Sequence, residues 1–285
     1  GGFLPLVLIG LYLIQGTKQI LVNQAKSAEA QELFTVSNQI EEMQDTITTM
    51  SRYFYFDEKL EEIAEKQYRA DQEIIDDYRS YTSFLEYRKY YNDIISRISV
   101  YFENDTITGN SEFVKVDDNI RNEEWYQRVQ KEKGSVIWSY LPHEIMGYDH
   151  ALALSRMLKT RKGKNVGALV IYIRPERFEG YVRERSGDTF LVLNGETSIC
   201  SMGQNTVFED IKEYLPKRGE EDIQKQISID GASYIVTTET IFQDNSSDYL
   251  QVVGVLAYRD ILKEANAQSI KSIGLSCLSA GFAVI

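Results

Sequence analysis

The chain has 285 residues, enough to bury a sizeable core as one large domain or two modest ones. Its formal net charge of -12 argues against a nucleic-acid partner, because no basic face is there to neutralise phosphates, and suits a water-facing domain. The two cysteines, Cys200 and Cys277, supply no disulfide framework, and nineteen Tyr beside twelve Phe point to surfaces and clefts with amphipathic rings.

Taken in order, residues 3–14 (FLPLVLIGLYLI) are apolar, as are residues 273–285 (IGLSCLSAGFAVI) at the far end. Each run is shorter than the roughly 20 residues that cross a bilayer. Both are expected to be parts of membrane helices that continue outside the given sequence, with everything between them on one side. Lys18 and Lys271 flank the runs on that same side, so the excess of basic residues that marks a cytoplasmic loop sets no orientation.

Residues 17–54 contain neither Pro nor Gly and read as one long helix. Leu33, Val36, Ile40, Met43, Ile47, Met50 and Phe54 recur at alternating steps of three and four, a heptad seam. Glu29, Glu32, Glu41, Glu42 and Asp45 are expected on wet faces. The seam fits two arrangements, a parallel homodimer contact or an amphipathic helix lying on its own domain.

Helical character continues to about residue 92, with an acidic bend or solvated turn expected at 57–65 and Ile74, Ile75, Tyr78 and Leu85 at helical spacing. ISRISVYFEND then reads as a strand with Ile98, Val100 and Phe102 on one face, ending in a turn at Asn104-Asp105. A helix is expected over 122–134, ending at Gly134 with Lys131 and Lys133 in its last turn. The strands SVIWSY, HALALSRMLK and VGALVIYIR follow, the last two joined by the basic turn RKGKN, and a helix opens near Pro175. The pattern then repeats as two strands around Gly195, the helix VFEDIKEYL, and the strands KQISID, SYIVTTETIFQ and YLQVVGVLAYR, before a closing helix. Val166-Gly167-Ala168-Leu169 with Tyr172 and Arg174 is echoed by Val253-Gly254-Val255-Leu256 with Tyr258 and Arg259.

The fold expected is α+β: a long N-terminal helix, then two tandem modules with antiparallel sheets, between two transmembrane fragments. The divisions fall at 1–16 for the first membrane fragment, 17–92 for the long helix and helical connection, and 93–186 and 187–260 for the two modules. Residues 261–285 form the exit helix and second membrane fragment.

This order resembles the double Cache sensor domain, a pair of PAS-like modules found outside the bacterial membrane. Its most specific local pieces are Trp125-Tyr126, the strand Leu154-Ser155-Arg156 and Val166-Gly167. The resemblance implies an extracytoplasmic domain of a multi-pass protein in the bacterial cell membrane. That protein would be a two-component sensor histidine kinase, with a chemoreceptor or cyclic-dinucleotide enzyme as the alternatives. It also implies that a small ligand binds in the membrane-distal module near the helix carrying Trp125. Trp125, Tyr126 and Tyr140 fall where amino-acid-binding members keep aromatics. The charged partners differ: Glu123 stands two residues before the Trp where those members keep Arg, and Pro142 and the vicinity of Arg174 stand where they keep Asp. Amino acids are therefore disfavoured as ligands against sugars or other polar organic molecules.

From the residues themselves, Trp125, Tyr126, Trp138 and Tyr140 suit a cleft with flat faces for stacking, Trp138 being the one better suited to the core. Arg156 lies in an apolar strand and requires a partner, either a structural carboxylate or an anionic ligand group. His143 and His150 have no further ligands at metal spacing. Asp149-His150 lacks a Ser in a nucleophile elbow, and no Gly-rich phosphate loop occurs. No catalytic residue, cofactor or metal is assigned, so a binding module that transmits a signal is favoured over a membrane-tethered enzyme. Asn104-Asp105-Thr106 and Asn245-Ser246-Ser247 match glycosylation sequons that carry little meaning in a bacterial protein.

Overall fold

The computed structural model describes residues 3–132, 134–145, 148–182, 187–203, 207–242 and 246–263. The closing helix beyond residue 263, the apolar run 273–285 with Lys271 and Cys277, and Lys133 and Asn245 lie outside the described residues.

The chain begins with α1 (Phe3–Tyr55), followed by α2 (Glu58–Glu65), α3 (Asp71–Ser80) and α4 (Ser83–Tyr90). Residues 57–65, expected as a bend, instead form α2. Asp57 caps it by accepting from the Leu60 N–H at 3.1 Å, and Leu60, Ile63 and Ala64 are buried. An apolar face of three residues among five acidic or basic ones escapes a composition-based reading. Of the helix-spaced residues that follow, Ile74 is buried in α3, while Ile75 and Leu85 face solvent. Phe54, Phe84, Tyr81 and Phe113 meet edge-on and tie the end of α1 to these short helices, which accounts for part of the aromatic content.

The first sheet contains β1 (Ile95–Phe102), β2 (Phe113–Lys115), β3 (Val136–Ile145), β4 (Tyr148–Lys159) and β5 (Asn165–Ile173), in the order β2-β1-β5-β4-β3. Between β2 and β3 come α5 (Asp118–Asn122) and α6 (Glu124–Lys131), and α7 (Pro175–Val182) leads to the second sheet. That sheet contains β6 (Asp188–Leu193), β7 (Thr197–Met202), β8 (Gln224–Ile229), β9 (Ala232–Phe242) and β10 (Tyr249–Ala257), in the order β7-β6-β10-β9-β8. Inserted after β7 are α8 (Phe208–Ile211) and a 3-10 turn (Lys212–Tyr214). The strand order is the same in both sheets. One edge differs: β2 runs parallel to β1, whereas β7 returns as an antiparallel hairpin on β6. β2 is too short for alternation to reveal it. The helix expected over 122–134 is two helices, because Glu123 takes up an extended conformation (φ -65, ψ 135) between α5 and α6.

The seam on α1 is the centre of the chain's own core. Leu33, Val36, Ile40, Met43, Ile47, Met50 and Phe54 are at most 5% exposed. They share one apolar cluster with Ile98, Val100, Leu169 and Ile171 of the first sheet and Leu191, Leu250 and Val252 of the second. This corrects the expected homodimer contact through the seam, since these side chains have no surface left for a partner helix. The two arrangements look alike in sequence because a 3.5-residue and a 3.6-residue period drift apart by only about 20° per heptad. Glu29, expected on a wet face, is 3% exposed.

Among the described residues no helix is long and apolar enough to cross a membrane. Residues 3–14 form the start of α1, and the expected transmembrane fragments are without structural support.

The Val-Gly echo has a different physical basis in each sheet. Gly167 pairs with Phe102 across the β1–β5 edge, and a Cβ there would lie 2.2 Å from the Tyr101 carbonyl oxygen. Gly254 lets α1 settle on β10, since a Cβ would lie 1.8 Å from the Glu29 carboxylate.

Candidate ligand-binding site

Alternation along the strands gives the first sheet two faces with different chemistry. One face, made by Ile98, Val100, Leu152, Leu154, Leu169 and Ile171, packs on α1. The other carries Ile137, Met157 and Ala168 beneath Tyr126 and Val129 of α6, and beside them Ala151, Ala153, Val170 and Tyr172. Small residues at every second position of β4 keep this second face low. Trp125 of α6 stands over it, half-buried, with its ring 5.1 Å from Tyr101 in an edge-on contact.

Polar groups collect on that low face. Ser139, Ala153, Tyr172 and Arg97 form one row across β3, β4, β5 and β1. The Tyr101 and Tyr172 hydroxyls are 3.0 Å apart, and the Arg97 guanidinium lies 4.6 Å from the centre of the Tyr172 ring. His143 stacks on the same ring at 4.4 Å. Its Nε2 is 3.0 Å from Ser96 Oγ, which donates to the Tyr172 carbonyl at 3.2 Å. Because the Ser96 proton goes to that carbonyl, the network assigns His143 as the Nε2–H tautomer, with Nδ1 a bare acceptor. Burial, with the charge on Arg97, holds the His143 imidazole down at about 4, so it is neutral at pH 7. Burial beside Tyr172 pushes the Tyr101 phenol well up.

Four polar atoms of this face are buried without a hydrogen-bond partner: Arg97 Nε, Ser139 Oγ, Ser155 Oγ and His143 Nδ1. Leaving a buried polar group unpaired costs about 1–3 kcal/mol, so several of them on one face call for a bound guest or ordered water to answer them. The two tyrosine hydroxyls share one hydrogen bond between them, which leaves one O–H to donate elsewhere.

A groove of about 490 Å³ reaches this region from outside, lined by Trp125, Ser139, Tyr140 and Leu141 on one side and Asn194 and Thr197 on the other. Among the described residues no cluster of three or more His, Cys, Asp or Glu is arranged to hold a metal ion.

No family model and no curated protein matches the sequence. Solved structures do match. The ligand-binding domain of the Campylobacter jejuni chemoreceptor Tlp3 in complex with L-valine aligns at 14% identity with a TM-score of 0.55, over 87% of this chain and 98% of that one. The extracellular domain of vpHK1S-Z8, which carries the name of a histidine kinase, aligns at 15% identity and a TM-score of 0.58, over 85% and 98%. The ligand-binding domain of Mlp24 with asparagine aligns at 13% identity and a TM-score of 0.51, over 88% and 99%.

The chain has the double Cache sensory fold.

The residues singled out from sequence are divided between the two faces of the first sheet. Trp125, Trp138 and Tyr140 all line the inter-module groove. Trp138 is 1% exposed and packs in the α1-side cluster, and the Tyr140 hydroxyl reaches the Ile199 carbonyl at 3.4 Å. Tyr126 is fully buried and donates to Glu103 Oε1 at 2.6 Å, an ordinary core tyrosine with a satisfied hydroxyl. Arg156 lies on the α1 side, opposite Val136 and Leu169, with its Nε unpartnered. Burial, and then the nearby Arg52, pull its pKa down. It is thus separated from the Trp125 face by the thickness of the sheet.

Arg97, Tyr101, Ser139, Ser155 and Tyr172 were missed in the sequence. One signal was present: in ALALSR the small residues fall on one side of the strand and the leucines on the other.

Asp248 was also missed. It is 3% exposed and joins the modules: it pairs with Arg128 Nη2 of α6 at 2.7 Å and accepts from the Trp138 N–H and the Asn194 side chain, each at 2.9 Å.

Proposed function

We propose that this chain is the extracytoplasmic ligand-sensing domain of a membrane-bound bacterial signalling receptor, and that its ligand sits on the low face of the distal sheet beneath Trp125. The observation that carries this reading is the group of buried, unpartnered polar atoms on that face. Sensory domains of chemoreceptors and of a protein named as a histidine kinase share the fold and support it. Of the two outputs, a two-component histidine kinase is preferred, because the long charged helix and Tyr-rich composition resemble those of sensor kinases of Gram-positive bacteria, with a chemoreceptor as the second reading. Neither requires catalysis by this chain. Attachment to the membrane at both ends is part of the proposal, on the strength of the apolar runs 3–14 and 273–285, as is a homodimer formed outside the buried seam.

Two of the domains that share the fold were solved with amino acids, L-valine and asparagine. Glu123 and Pro142 stand where amino-acid binders keep an Arg and an Asp, which favours other small polar molecules here.

The α6 helix links binding to output. It carries Trp125 and, three residues on, Arg128, which is paired to Asp248 of the proximal module. A guest that draws α6 onto the sheet changes that pairing and with it the packing of both modules on α1. Its effect is bounded by its differential affinity for the two arrangements, and displacements of about 1–2 Å are typical at helix interfaces.

Thermal-shift screening of the purified chain against sugars, carboxylates, amines and amino acids tests the reading. A ligand is expected to raise the melting temperature of the native protein, and Trp125→Ala is expected to abolish that rise while leaving the unliganded protein folded. A collapse of the unliganded variant would make Trp125 a core residue.

A further inference from the structure

We propose that the ligand is a small carboxylate without an ammonium group, held by Arg97 on the low face of the distal sheet. The proposal rests on the sensor reading of that face and adds the chemistry of its guest.

Arg97 projects from β1 towards the α6 side, in the row it shares with Tyr172 of β5. Its cation lies on the Tyr172 ring, its Nε is buried and unpartnered, and no ion pair reaches it among the described residues. The side chain as a whole is partly exposed, with only Nε buried, and a guanidinium presented in this way can take a carboxylate through two parallel hydrogen bonds. Among the described residues no carboxylate pairs with it. Glu103, the acidic residue at the end of β1, is engaged twice over: Oε1 accepts from Tyr126 at 2.6 Å and Oε2 from Arg121 at 2.8 Å. The neighbouring His143 is neutral by its tautomer and burial, and offers no negative charge.

The rest of the face suits the same guest. One tyrosine O–H of the Tyr101–Tyr172 pair is free to donate, and the Ser139 and Ser155 hydroxyls are unpartnered. A carboxylate offers about four lone-pair sites and no donors, so it satisfies Arg97 and a tyrosine together. Hydroxyl or carbonyl groups elsewhere on the molecule answer the serines. A protonated amine in the same space would meet the Arg97 charge with no free carboxylate to offset it. The row from Arg97 to Ser139 crosses four strands by way of Tyr172 and Ala153, and Ser155 stands on the same face in the next row, opposite Ile137 and Val170.

The test is calorimetric titration of the purified chain with lactate, malate and succinate, beside L-alanine, glucose and sodium phosphate. At least one carboxylate is expected to bind. Arg97→Gln is expected to weaken it by at least about tenfold, the loss of a charge-assisted hydrogen bond. Arg97→Lys should retain part of the affinity, because a point charge remains without the planar fork. If Arg97→Gln fails to fold, Arg97→Lys and Ser155→Ala take its place, each expected to weaken the same acid. Binding of glucose or L-alanine that Arg97→Gln leaves unchanged, or phosphate bound as tightly as the acids, would overturn the carboxylate assignment and leave the sensor reading standing. Binding of no compound in any class, with the melting temperature of the native protein unmoved, would overturn both.

Discussion

Gly167 and Gly254 lie on corresponding strands of the two sheets, the third residue of β5 and the sixth of β10, and a methyl group at each meets a different obstacle. At Gly167 the obstacle is the Tyr101 backbone carbonyl, which cannot move without disturbing the β1–β5 pairing. At Gly254 it is the tip of the Glu29 side chain, which can rotate. Overpacking costs about 1–3 kcal/mol. Gly167→Ala should fall at or above the top of that range and Gly254→Ala near the bottom, as read by urea denaturation of each variant. Equal losses would show that the contact with α1 is as rigid as the backbone pairing. His143 gives a second residue-scale prediction. Its folded pKa of about 4 lies below the ordinary value of about 6.5, so between these two values the unfolded chain binds more protons. The stability associated with neutral His143 is fully present above about pH 6.5 and is lost as pH falls towards 4. The melting temperature of His143→Asn should fall less steeply than that of the native protein across this window; parallel curves would assign the acid sensitivity to the carboxylates instead.

At the scale of elements, Asp248 joins α6, β3 and the β6–β7 turn through a carboxylate hidden from water. Removing one partner of a buried ion pair costs about 3–5 kcal/mol when the other charge is stranded. Asp248→Ala should approach that loss, because the Trp138 N–H and the Asn194 amide also lose their acceptor. Arg128→Ala should cost less: the arginine side chain is 31% exposed, and Asp248 keeps its two other donors. A double-mutant cycle on the pair measures the coupling directly. A coupling near zero would mean that α6 and the proximal module are joined by shape alone, and the proposed route from Trp125 to the second sheet would lose its main link.

Across the whole molecule, α1 is the element that both modules share. Its apolar stripe is occupied by the two sheets, and Gln224 of β8 donates to the Lys26 carbonyl at 2.7 Å, which adds a polar tie at the proximal end. A rod packed this way moves with the sheets instead of sliding past them. Any subunit contact along α1 must then use the outward side, where Phe34 and Tyr53 are 50% and 61% exposed. Cysteine crosslinking separates the cases. Ile40→Cys and Met43→Cys should give only background crosslinking, because both positions are buried within one chain, whereas Phe34→Cys is available to a partner. Efficient crosslinking at Ile40 would mean that α1 leaves its sheets in the membrane-bound receptor.

What the sequence determined by itself is whatever depends on near neighbours along the chain. The absence of breakers after Gly16 made α1 one helix, alternating residues made the central strands, and turn residues closed the β4–β5 hairpin. The repeated order of elements followed from these, and with it the tandem fold. What only the tertiary structure decided is which side of each element meets which neighbour. Alternation separates Trp138 and Tyr140 from Ser139, but it carries no information on which set lies beneath α6. A period of three and four shows that one stripe of α1 is covered, but the covering surface is a matter of contacts hundreds of residues away. The site has the same character: Arg97, Ser155 and Tyr172 are unremarked in their own strands and become a group only when β1, β4 and β5 pair. Among the described residues Arg97 meets the Tyr172 ring but no carboxylate, and no local pattern of residues records such an omission.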